Sequence, residues 1–319
     1  MSGPRPNGRR SNAAAGSSGS TDVAGAAGSL EGLVVAAYGR RFLVDTSAGL
    51  LSCLPRGRDA QYACGDRVAV LPEGPGTGVI DSAEARKTVF FRSAAHRSKL
   101  IAANATQVAI VVAPEPSFSD ELIARALAAA HSAGMAGFIV MNKADLAAQA
   151  VPARERLEPF ERAGHAVIAV SALQEEGNLP ELRERLEGEL TVLVGQSGMG
   201  KSTLINALVP EASAATREIS VFLDSGKHTT TSSRLYRLDG ASGIIDCPGM
   251  QDFGLAHLDW RDIERGFMEI GALAGHCRYA NCRHLNEPGC AVEDAVAAGR
   301  IAARRLELYR RIVGGQTGK

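Results

Sequence analysis

The order of three short motifs constrains the fold of this chain more than any other feature. An N-K-x-D motif at 142–145 comes first, a G-x-x-x-x-G-K-S motif follows at 195–202, and a D-x-x-G motif stands at 246–249. In an ordinary small guanine-nucleotide-binding domain the phosphate loop is first and the base-reading motif lies near the end. The sequence therefore predicts a circularly permuted version of that fold, with the base-reading half in front.

The phosphate-loop motif carries much of this prediction because its local context is complete. The apolar run at 189–194 predicts a buried strand before it, and 202–208 predicts a helix after it. Glycines let backbone N–H groups turn around an anion, and the helix adds its positive end. Lys201 is placed to reach the β- and γ-phosphates, and Ser202 to ligate Mg²⁺. The predicted GTP-binding residues here are Gly195, Gln196, Ser197, Gly198, Met199, Gly200, Lys201, Ser202 and Thr203.

The N-K-x-D motif follows an apolar strand at 137–141, so it lies at a carboxyl strand end, where open α/β sheets bind ligands. The Asp145 carboxylate can accept from guanine N1–H and from the exocyclic amino group, a pair that adenine does not offer. Another predicted strand, at 166–170, leads into a Ser-Ala pair that suits a backbone N–H contact to guanine O6. The predicted base-binding residues are Asn142, Lys143, Ala144, Asp145, Ser171 and Ala172.

The D-x-x-G motif ends a predicted strand at 243–245. Asp246 is expected to hold the Mg²⁺ shell through water, and the Gly249 N–H to meet the γ-phosphate. A threonine hydroxyl from 229–231 is expected to close over Mg²⁺, with Thr230 preferred among the three. The predicted magnesium ligands are Ser202, Thr230 and Asp246.

A cysteine and histidine cluster near the C-terminus predicts a metal site. Three thiolates and one imidazole lie within fourteen residues, a set suited to closed tetrahedral zinc. The cluster holds half of the six cysteines, and no secretory signal favours disulfides. The neighbouring His276 would be a fifth ligand, so a surface or supporting position is expected for it. The predicted zinc ligands, one ion per chain, are Cys277, Cys282, His284 and Cys290, and the scattered thiols expected to be ordinary are Cys53, Cys64 and Cys247.

Composition limits where the protein can act. Residues 1–29 are rich in Gly, Ala, Ser and Arg and contain no Leu, Ile or Phe, so they cannot bury a core and are expected to be disordered. No Leu-rich segment follows their arginines, which argues against a signal peptide. No apolar run approaches the roughly 18 residues of a membrane span. We therefore expect a cytoplasmic monomer with no membrane contact.

The chain of 319 residues fits several domains. Short alternating segments broken by glycines after residue 30 predict a small antiparallel barrel; an OB-type barrel suits its size, and an SH3-like barrel has the same periodicity. Strands that alternate with amphipathic helices, such as 119–133 and 179–186, predict a doubly wound α/β sheet in the middle. A long helical stretch is predicted at 291–312. The predicted fold class is multidomain α/β: a tail at 1–29, an OB-type barrel at 30–95, a permuted GTPase domain at 96–255 and a helical zinc-binding domain at 256–319.

The charge distribution suggests contact with RNA. Residues 1–100 carry 13 Lys and Arg against 8 Asp and Glu, and residues 256–319 carry 10 against 8. The region between them carries 12 against 19. A basic barrel and tail around an acidic core fit RNA contact through the two ends, although ordinary solvated surface would show similar modest excesses.

In its motif order and metal-ligand set the chain resembles the RsgA/YjeQ family of circularly permuted bacterial GTPases over about residues 30–313. The resemblance implies an OB barrel, a permuted GTPase domain and a zinc domain. It also implies GTP hydrolysis to GDP in late maturation of the small (30S) ribosomal subunit, whose rRNA is the expected partner. The motifs that carry it are 97–104, 226–231, 246–249 with 252–255, and the Cys277, Cys282, His284, Cys290 set.

The catalytic residues are harder to predict. In many GTPases a glutamine after the D-x-x-G motif orients the attacking water, but here that position is Met250. His228 resembles the switch histidine of the family and is the nearest polar candidate, while a loop-packing or RNA-facing role is equally open for it. Lys201 and Thr230 complete the predicted catalytic set. We expect slow intrinsic turnover that rises when a partner orders the switch loops.

Other function classes share these motifs. One alternative is a zinc- and OB-based RNA-binding module with vestigial nucleotide chemistry, and another is a GTPase that serves RNA modification or stress signalling. Intact Lys201, Ser202, Asp145 and Asp246 favour an active GTPase over the first. Only the family resemblance separates ribosome assembly from the second.

Overall fold

The computed structural model describes residues 28–57, 60–94, 97–174, 177–210, 212, 233–247 and 253–315. Most of the predicted tail lies outside the described residues, as do His228, Thr230, Gly249 and Met250. Among the described residues, none of the helices combines the length and the apolar character that crossing a bilayer requires.

A closed five-stranded barrel forms the N-terminal region. Its strands are β1 (Leu30–Tyr38), β2 (Arg41–Thr46), β3 (Gly49–Pro55), β4 (Arg67–Gly74) and β5 (Thr77–Ala83). They pair in the order β1-β2-β3-β5-β4 and close through β1 and β4, with β3 and β5 parallel. Inward-facing side chains such as Val34, Val44 and Ile80 fill the interior. The predicted OB-type barrel is confirmed by this strand order.

A twisted α/β sheet follows the barrel, after a hairpin of β6 (Val89–Ala94) and β7 (Arg97–Ala103). Five parallel strands run in the order β10-β9-β8-β11-β13, and β12 adds to the edge in the antiparallel direction. Every residue of β8 is buried, as expected for a strand covered on both faces. The strands are β8 (Gln107–Val112), β9 (Ala136–Met141), β10 (Val167–Ala169), β11 (Leu190–Val194), β12 (Ser233–Arg237) and β13 (Gly243–Asp246).

Four helices alternate with these strands. They are α1 (Asp120–Ser132), α2 (Ala147–Arg162), α3 (Leu179–Leu186) and α4 (Lys201–Leu208). Ser119 caps α1 because its Oγ accepts the Leu122 N–H at 3.2 Å, which satisfies a donor that the helix itself leaves free. The predicted doubly wound sheet and its helices are therefore present.

The barrel and the α/β sheet share one hydrogen-bonded ladder. Strand β12 pairs with β1, with Ala36 opposite Arg234 and Ala37 opposite Ser233. On its other side β12 pairs with β13, where Arg234 stands opposite Asp246. The barrel is thus fixed to the strand that neighbours the predicted magnesium-binding carboxylate.

The C-terminal region is helical and packs on α1. Its helices are α5 (Trp260–Gly266), α6 (Met268–Gly271), α7 (Ala291–Ala297) and α8 (Ala303–Gly314). Gly266 lies so close to α1 that an added Cβ would stand 2.5 Å from the Ala128 Cα. The prediction of one long helical stretch at 291–312 is wrong. Helix α7 ends at Ala297, with Ala298 as its C-terminal cap, and Gly299 follows with a φ of 72°. This left-handed conformation is common where helices end and favours glycine.

A buried arginine joins this C-terminal region to α2. Arg305 is 1% exposed, and its guanidinium lies 4.7 Å from the Phe160 ring centre and 4.5 Å from that of Phe267. Its Nε donates to Glu269 at 2.5 Å, so the buried charge is paired. Asp120 at the start of α1 adds a second connection, since it accepts from guanidiniums on α2 and α8.

Candidate nucleotide and metal sites

The phosphate loop runs from the end of β11 into the first turn of α4. Gly198 and Gly200 have φ values of 82° and 83°, in the left-handed region. A Cβ on Gly200 would lie 2.4 Å from Asn142 Nδ2, and one on Gly195 would lie 2.3 Å from the Val111 carbonyl oxygen. The loop therefore requires glycine at these positions for backbone conformation and for close approach.

Lys201 lies over this loop from the start of α4. Its Nζ donates to the carbonyl oxygens of Gly195 at 2.6 Å and Gln196 at 2.9 Å. Burial lowers the pKa of Lys201, while the Asp246 carboxylate opposes that shift. An ammonium group held at the mouth of the loop is the arrangement that nucleotide phosphates require.

Asn142 joins three segments that are far apart in sequence. It is 1% exposed, and its Nδ2 donates to Met199 O at 3.1 Å and to Gly200 O at 3.4 Å. Its Oδ1 accepts the Ala172 N–H at 3.2 Å. The N-K-x-D motif, the Ser-Ala pair and the phosphate loop therefore meet at one edge of the sheet, as their positions at strand ends predicted.

The predicted base-selecting carboxylate, that of Asp145, is oriented by a hydrogen bond from Ser171. Ser171 Oγ donates to Asp145 Oδ1 at 2.5 Å, and the carboxylate remains exposed. Lys143 has a φ of 59°, and its Nζ donates to the Glu115 carbonyl oxygen at 2.8 Å. Hydrogen bonds thus hold the side chains of Lys143 and Asp145 in place, and the Asp145 carboxylate is still open to a ligand.

Asp246 ends β13 beside the phosphate loop. Its Oδ1 is buried and has no hydrogen-bond partner among the described residues. Burial raises the pKa of Asp246, and the positive charges of Lys201 and Arg234 oppose that rise. A buried carboxylate oxygen without a partner fits a site that is completed by a cation or its bound water. Ser202 lies in the first turn of α4, next to Lys201.

Two contacts of the nucleotide site could not be read from the motifs. The backbone N–H of Ser119 donates to Gln196 Oε1 at 2.8 Å, which connects the start of α1 to the phosphate loop. A Cβ on Gly198 would lie 3.0 Å from the Pro116 side chain, so the loop before α1 packs against the phosphate loop. No local sequence signal marks either contact, because both join segments about 80 residues apart.

The four predicted metal ligands come together. Their donor atoms all lie within 4.8 Å of one another, and His284 Nδ1 is 3.3 to 3.6 Å from the three sulfurs. Sulfur and nitrogen bound tetrahedrally at about 2.3 and 2.0 Å stand roughly 3.5 Å apart, so the set fits an ion of the size of zinc. Burial raises the pKa of Cys282 to about 12, and a cation is what would keep such thiols ionised.

Surrounding groups orient these ligands. His284 Nε2 lies 3.7 Å from a Glu264 carboxylate oxygen, the position of the carboxylate partner that commonly orients a metal-binding histidine. The Ala291 N–H donates to Cys277 Sγ at 3.3 Å. Arg310 Nε donates to the His284 carbonyl oxygen at 2.8 Å, which ties the cluster to α8. Sequence reasoning did not find Glu264, because a carboxylate 20 residues away has no spacing signal.

The neighbouring His276 and the other three cysteines do not belong to the cluster. His276 is exposed and is not among the clustered donors. The other thiols are buried and free, as predicted, and burial raises the pKa of Cys53 to about 11 and that of Cys247 to about 12. Thiols in such surroundings are unreactive packing groups.

These features define a class of protein: a circularly permuted P-loop GTPase with an N-terminal OB-type barrel and a C-terminal cysteine and histidine metal cluster. The RsgA GTPase family model matches residues 83–256. The chain belongs to this family and is a GTPase, a hydrolase of GTP.

Sequence relatives and solved structures agree with that assignment. The chain is 49% identical over 290 residues to the small ribosomal subunit biogenesis GTPase RsgA of Paraburkholderia xenovorans, covering 88% of this chain and 92% of that one. It is 50% identical over 285 residues to the protein of the same name from Bordetella pertussis, covering 89% and 95%. The crystal structure of YjeQ from Thermotoga maritima matches with a TM-score of 0.70 at 27% identity, covering 91% and 99%. YloQ, a circularly permuted GTPase, matches in fold with a TM-score of 0.67 at 23% identity, covering 91% and 96%.

Proposed function

We propose that this chain hydrolyses GTP during biogenesis of the small ribosomal subunit, which it binds as a cytoplasmic monomer, and that GTP hydrolysis promotes its release. The observation that carries the proposal is the junction at Asn142, where the base-reading and phosphate-binding segments meet in one intact site. Its relatives named for small-subunit biogenesis cover most of the chain at 49–50% identity.

Guanine selection rests on Asp145. Ser171 fixes one of its carboxylate oxygens, so the carboxylate is oriented before the ligand arrives. Two donors on guanine, N1–H and the exocyclic amino group, match two carboxylate oxygens, whereas adenine presents an acceptor at N1. A mismatch at such a carboxylate leaves polar groups unpaired, which rejects the wrong base strongly.

Phosphate binding rests on the loop at 195–202 and on Lys201. Backbone N–H groups of the loop and the positive end of α4 face the phosphates, and Lys201 exchanges its two carbonyl contacts for phosphate oxygens. Ser202 and Asp246 are proposed to hold Mg²⁺ with Thr230, which lies outside the described residues. Bound Mg²⁺ neutralises the charge that develops on the transferred phosphoryl group.

His228 is the proposed group that orients the attacking water. The position after the D-x-x-G motif is Met250, whose thioether has no proton to donate and is only a weak acceptor. Both residues lie outside the described part of the chain, so the proposal rests on the sequence. We expect slow turnover by the free protein, because no glutamine follows the D-x-x-G motif, and faster turnover when a partner is bound.

The metal cluster is proposed to bind one zinc ion as a structural centre. Four protein ligands close the tetrahedron and leave no open position for a substrate, which separates structural from catalytic zinc. The barrel at 30–95 and the helical region at 256–319 are proposed as separate domains that contact rRNA on either side of the GTPase domain at 96–255.

The proposal is tested by GTP hydrolysis with purified ribosomal subunits. Small subunits should raise turnover by at least about tenfold, a modest part of what partners supply to other GTPases. Large subunits are the matched control, and Lys201→Ala with small subunits reports contaminating activity. Co-sedimentation should show tighter small-subunit binding with a non-hydrolysable GTP analogue than with GDP, since a nucleotide shifts binding only by its differential affinity for the two states. Equal turnover with both subunits would contradict the assignment.

A further inference from the structure

A cavity of about 340 Å³ opens beside the metal cluster, between α5 and the loop that carries the first cysteine ligands. Cys277, Cys282 and His284 form part of its wall. This is roughly the volume that eleven water molecules occupy in the liquid. A single metal ion at the cluster would therefore fill only a small part of the cavity. The rest of the wall is formed by Trp260, Arg261, Glu264, Arg265, Tyr279 and a few small residues.

Two aromatic rings of the cavity wall, Trp260 and Tyr279, lie beside guanidinium groups, of which Arg261 belongs to the wall and Arg278 and Arg283 are its neighbours in the chain. The Arg261 and Arg283 guanidiniums lie 4.8 and 5.5 Å from the Trp260 ring. The Arg278 guanidinium lies 5.5 Å from the ring of Tyr279, which is 44% exposed and is among the few large apolar side chains at the described surface. Planar rings beside guanidiniums are the combination with which proteins hold unstacked bases of single strands.

Two arginines at and beside the cavity, Arg261 and Arg278, are open to an anionic ligand. Its buried carboxylate, Glu264, is directed to His284, and Asp262 is paired with Arg265. Among the described residues, no acidic group lies within ion-pair distance of Arg261 or Arg278. The charges of Arg261 and Arg278 are therefore not neutralised by an ion pair within the described residues.

We propose that this cavity binds one unpaired nucleotide of single-stranded RNA, with the base against Tyr279 and the Trp260 side of the cavity and the phosphate at Arg261 and Arg278. The proposal rests on the proposed function and narrows it to one site and one class of ligand. A duplex keeps its bases stacked inside and offers no free face to the rings. An acidic peptide would satisfy the arginines but would leave the aromatic surface without a partner.

The test uses the full zinc-loaded chain and its own fluorophore. Trp260 is the sole tryptophan, so its emission reports on this cavity and not on RNA bound at the barrel. Titration with an unstructured eight-nucleotide RNA should change the emission saturably, and an eight-base-pair duplex should not. Tyr279→Ala should weaken binding at least about fivefold, since stacking one base contributes on the order of 1–3 kcal/mol. Tyr279→Phe should retain it.

Arginine variants test the anionic half of the proposal. Arg261→Ala should weaken binding several-fold and reduce the salt slope by about 0.7, the value expected when a protein neutralises one phosphate fewer on a single strand. Arg300→Ala is the matched control, because Arg300 is exposed on the α7–α8 connection and away from the cavity wall. Zinc content confirms that each variant has folded.

Three outcomes would overturn the proposal: equal affinity of Tyr279→Ala and the parent chain, equal response to the duplex, or equal response to an oligoglutamate peptide. Small-subunit-stimulated hydrolysis that persists without oligonucleotide binding would reject this site and leave the proposed function standing. Oligonucleotide binding without any small-subunit stimulation of hydrolysis would support this site and reject the proposed function.

Discussion

The nucleotide site and the metal cluster are built in opposite ways. Asn142 reaches Met199 and Ala172, which are 57 and 30 positions away, so the nucleotide site exists only when the parallel sheet has formed. The metal cluster draws all its ligands from residues 277–290, on a loop with few hydrogen bonds to strands. The first site is formed by the folding of the sheet, whereas the second would depend on a bound metal ion.

Each site contains one non-glycine residue with left-handed backbone, Lys143 in the nucleotide site and His284 in the metal cluster. In the phosphate loop the left-handed positions are glycines, which adopt that conformation freely. In the metal cluster His284, a ligand with a side chain, has a φ of 58°. A non-glycine residue in that conformation persists only where its surroundings impose it. The hydrogen bond to Glu115 helps to hold Lys143, whereas at His284 a metal ion bound by the four ligands would do so. We therefore expect the two sites to fail separately.

The largest expected effect is the loss of the metal. Cys282→Ser should remove the bound zinc and unfold the loop at 277–290, because structural zinc sites contribute about 10–16 kcal/mol of folding free energy. Zinc content by elemental analysis should fall from one equivalent to none. GTP affinity should change by less than about threefold, since the nucleotide site is held by the sheet. Cys53→Ser, at a buried thiol of the barrel, is the control and should keep its zinc.

A full equivalent of zinc in Cys282→Ser would reject the ligand set. Loss of GTP binding together with the zinc would instead show that the two sites do not fail separately. It would mean that the packing of α5 on α1 controls the phosphate loop through the contact between Ser119 and Gln196.

The second expected effect concerns the nucleotide site alone. Asp145→Asn replaces an oxygen acceptor by an amino donor facing guanine, so GTP affinity should fall by about a hundredfold or more. Xanthosine triphosphate should bind the variant better than GTP, because its oxygen can accept from the new amino group. Isothermal titration with both nucleotides measures this change of base preference. The zinc content should stay at one equivalent. Unchanged GTP affinity would refute the pocket assignment.

The meeting of the three motif segments at one sheet edge was predictable because each motif carries its own local context. A buried strand, a loop and a helix fix where a motif lies, and parallel strands bring their carboxyl ends to one edge. The prediction of strands near 137–141 and 189–194 therefore sufficed to place Asn142 and Lys201 together.

Contacts between distant segments were not predictable in this way. The pairing of β1 with β12 depends on the arrangement of two domains, and no residue in either strand identifies its partner. The carboxylate of Glu264 beside His284 is one acidic side chain among 35, and only the packing of α5 selects it. The end of α7 near residue 299 is different, because the sequence does contain a helix stop signal there, Gly299. The helical periodicity on both sides of this glycine led to the prediction of one continuous helix.

The smallest expected effect lies at the boundary between the two regions, where Gly266 of α5 packs on α1. Gly266→Ala would place a Cβ 2.5 Å from the Ala128 Cα, which is backbone and cannot swing away, so the helices must separate. Overpacking of this kind destabilises by about 1–3 kcal/mol, visible as a lower urea midpoint. Gly240→Ala, where nothing lies within 4 Å, is the matched control and should leave the midpoint unchanged. If Gly266→Ala also keeps the parent midpoint, the close approach of α5 to α1 at this residue does not determine stability, and the attachment of the metal region would rest on its other contacts, among them those of Arg305 and Asp120.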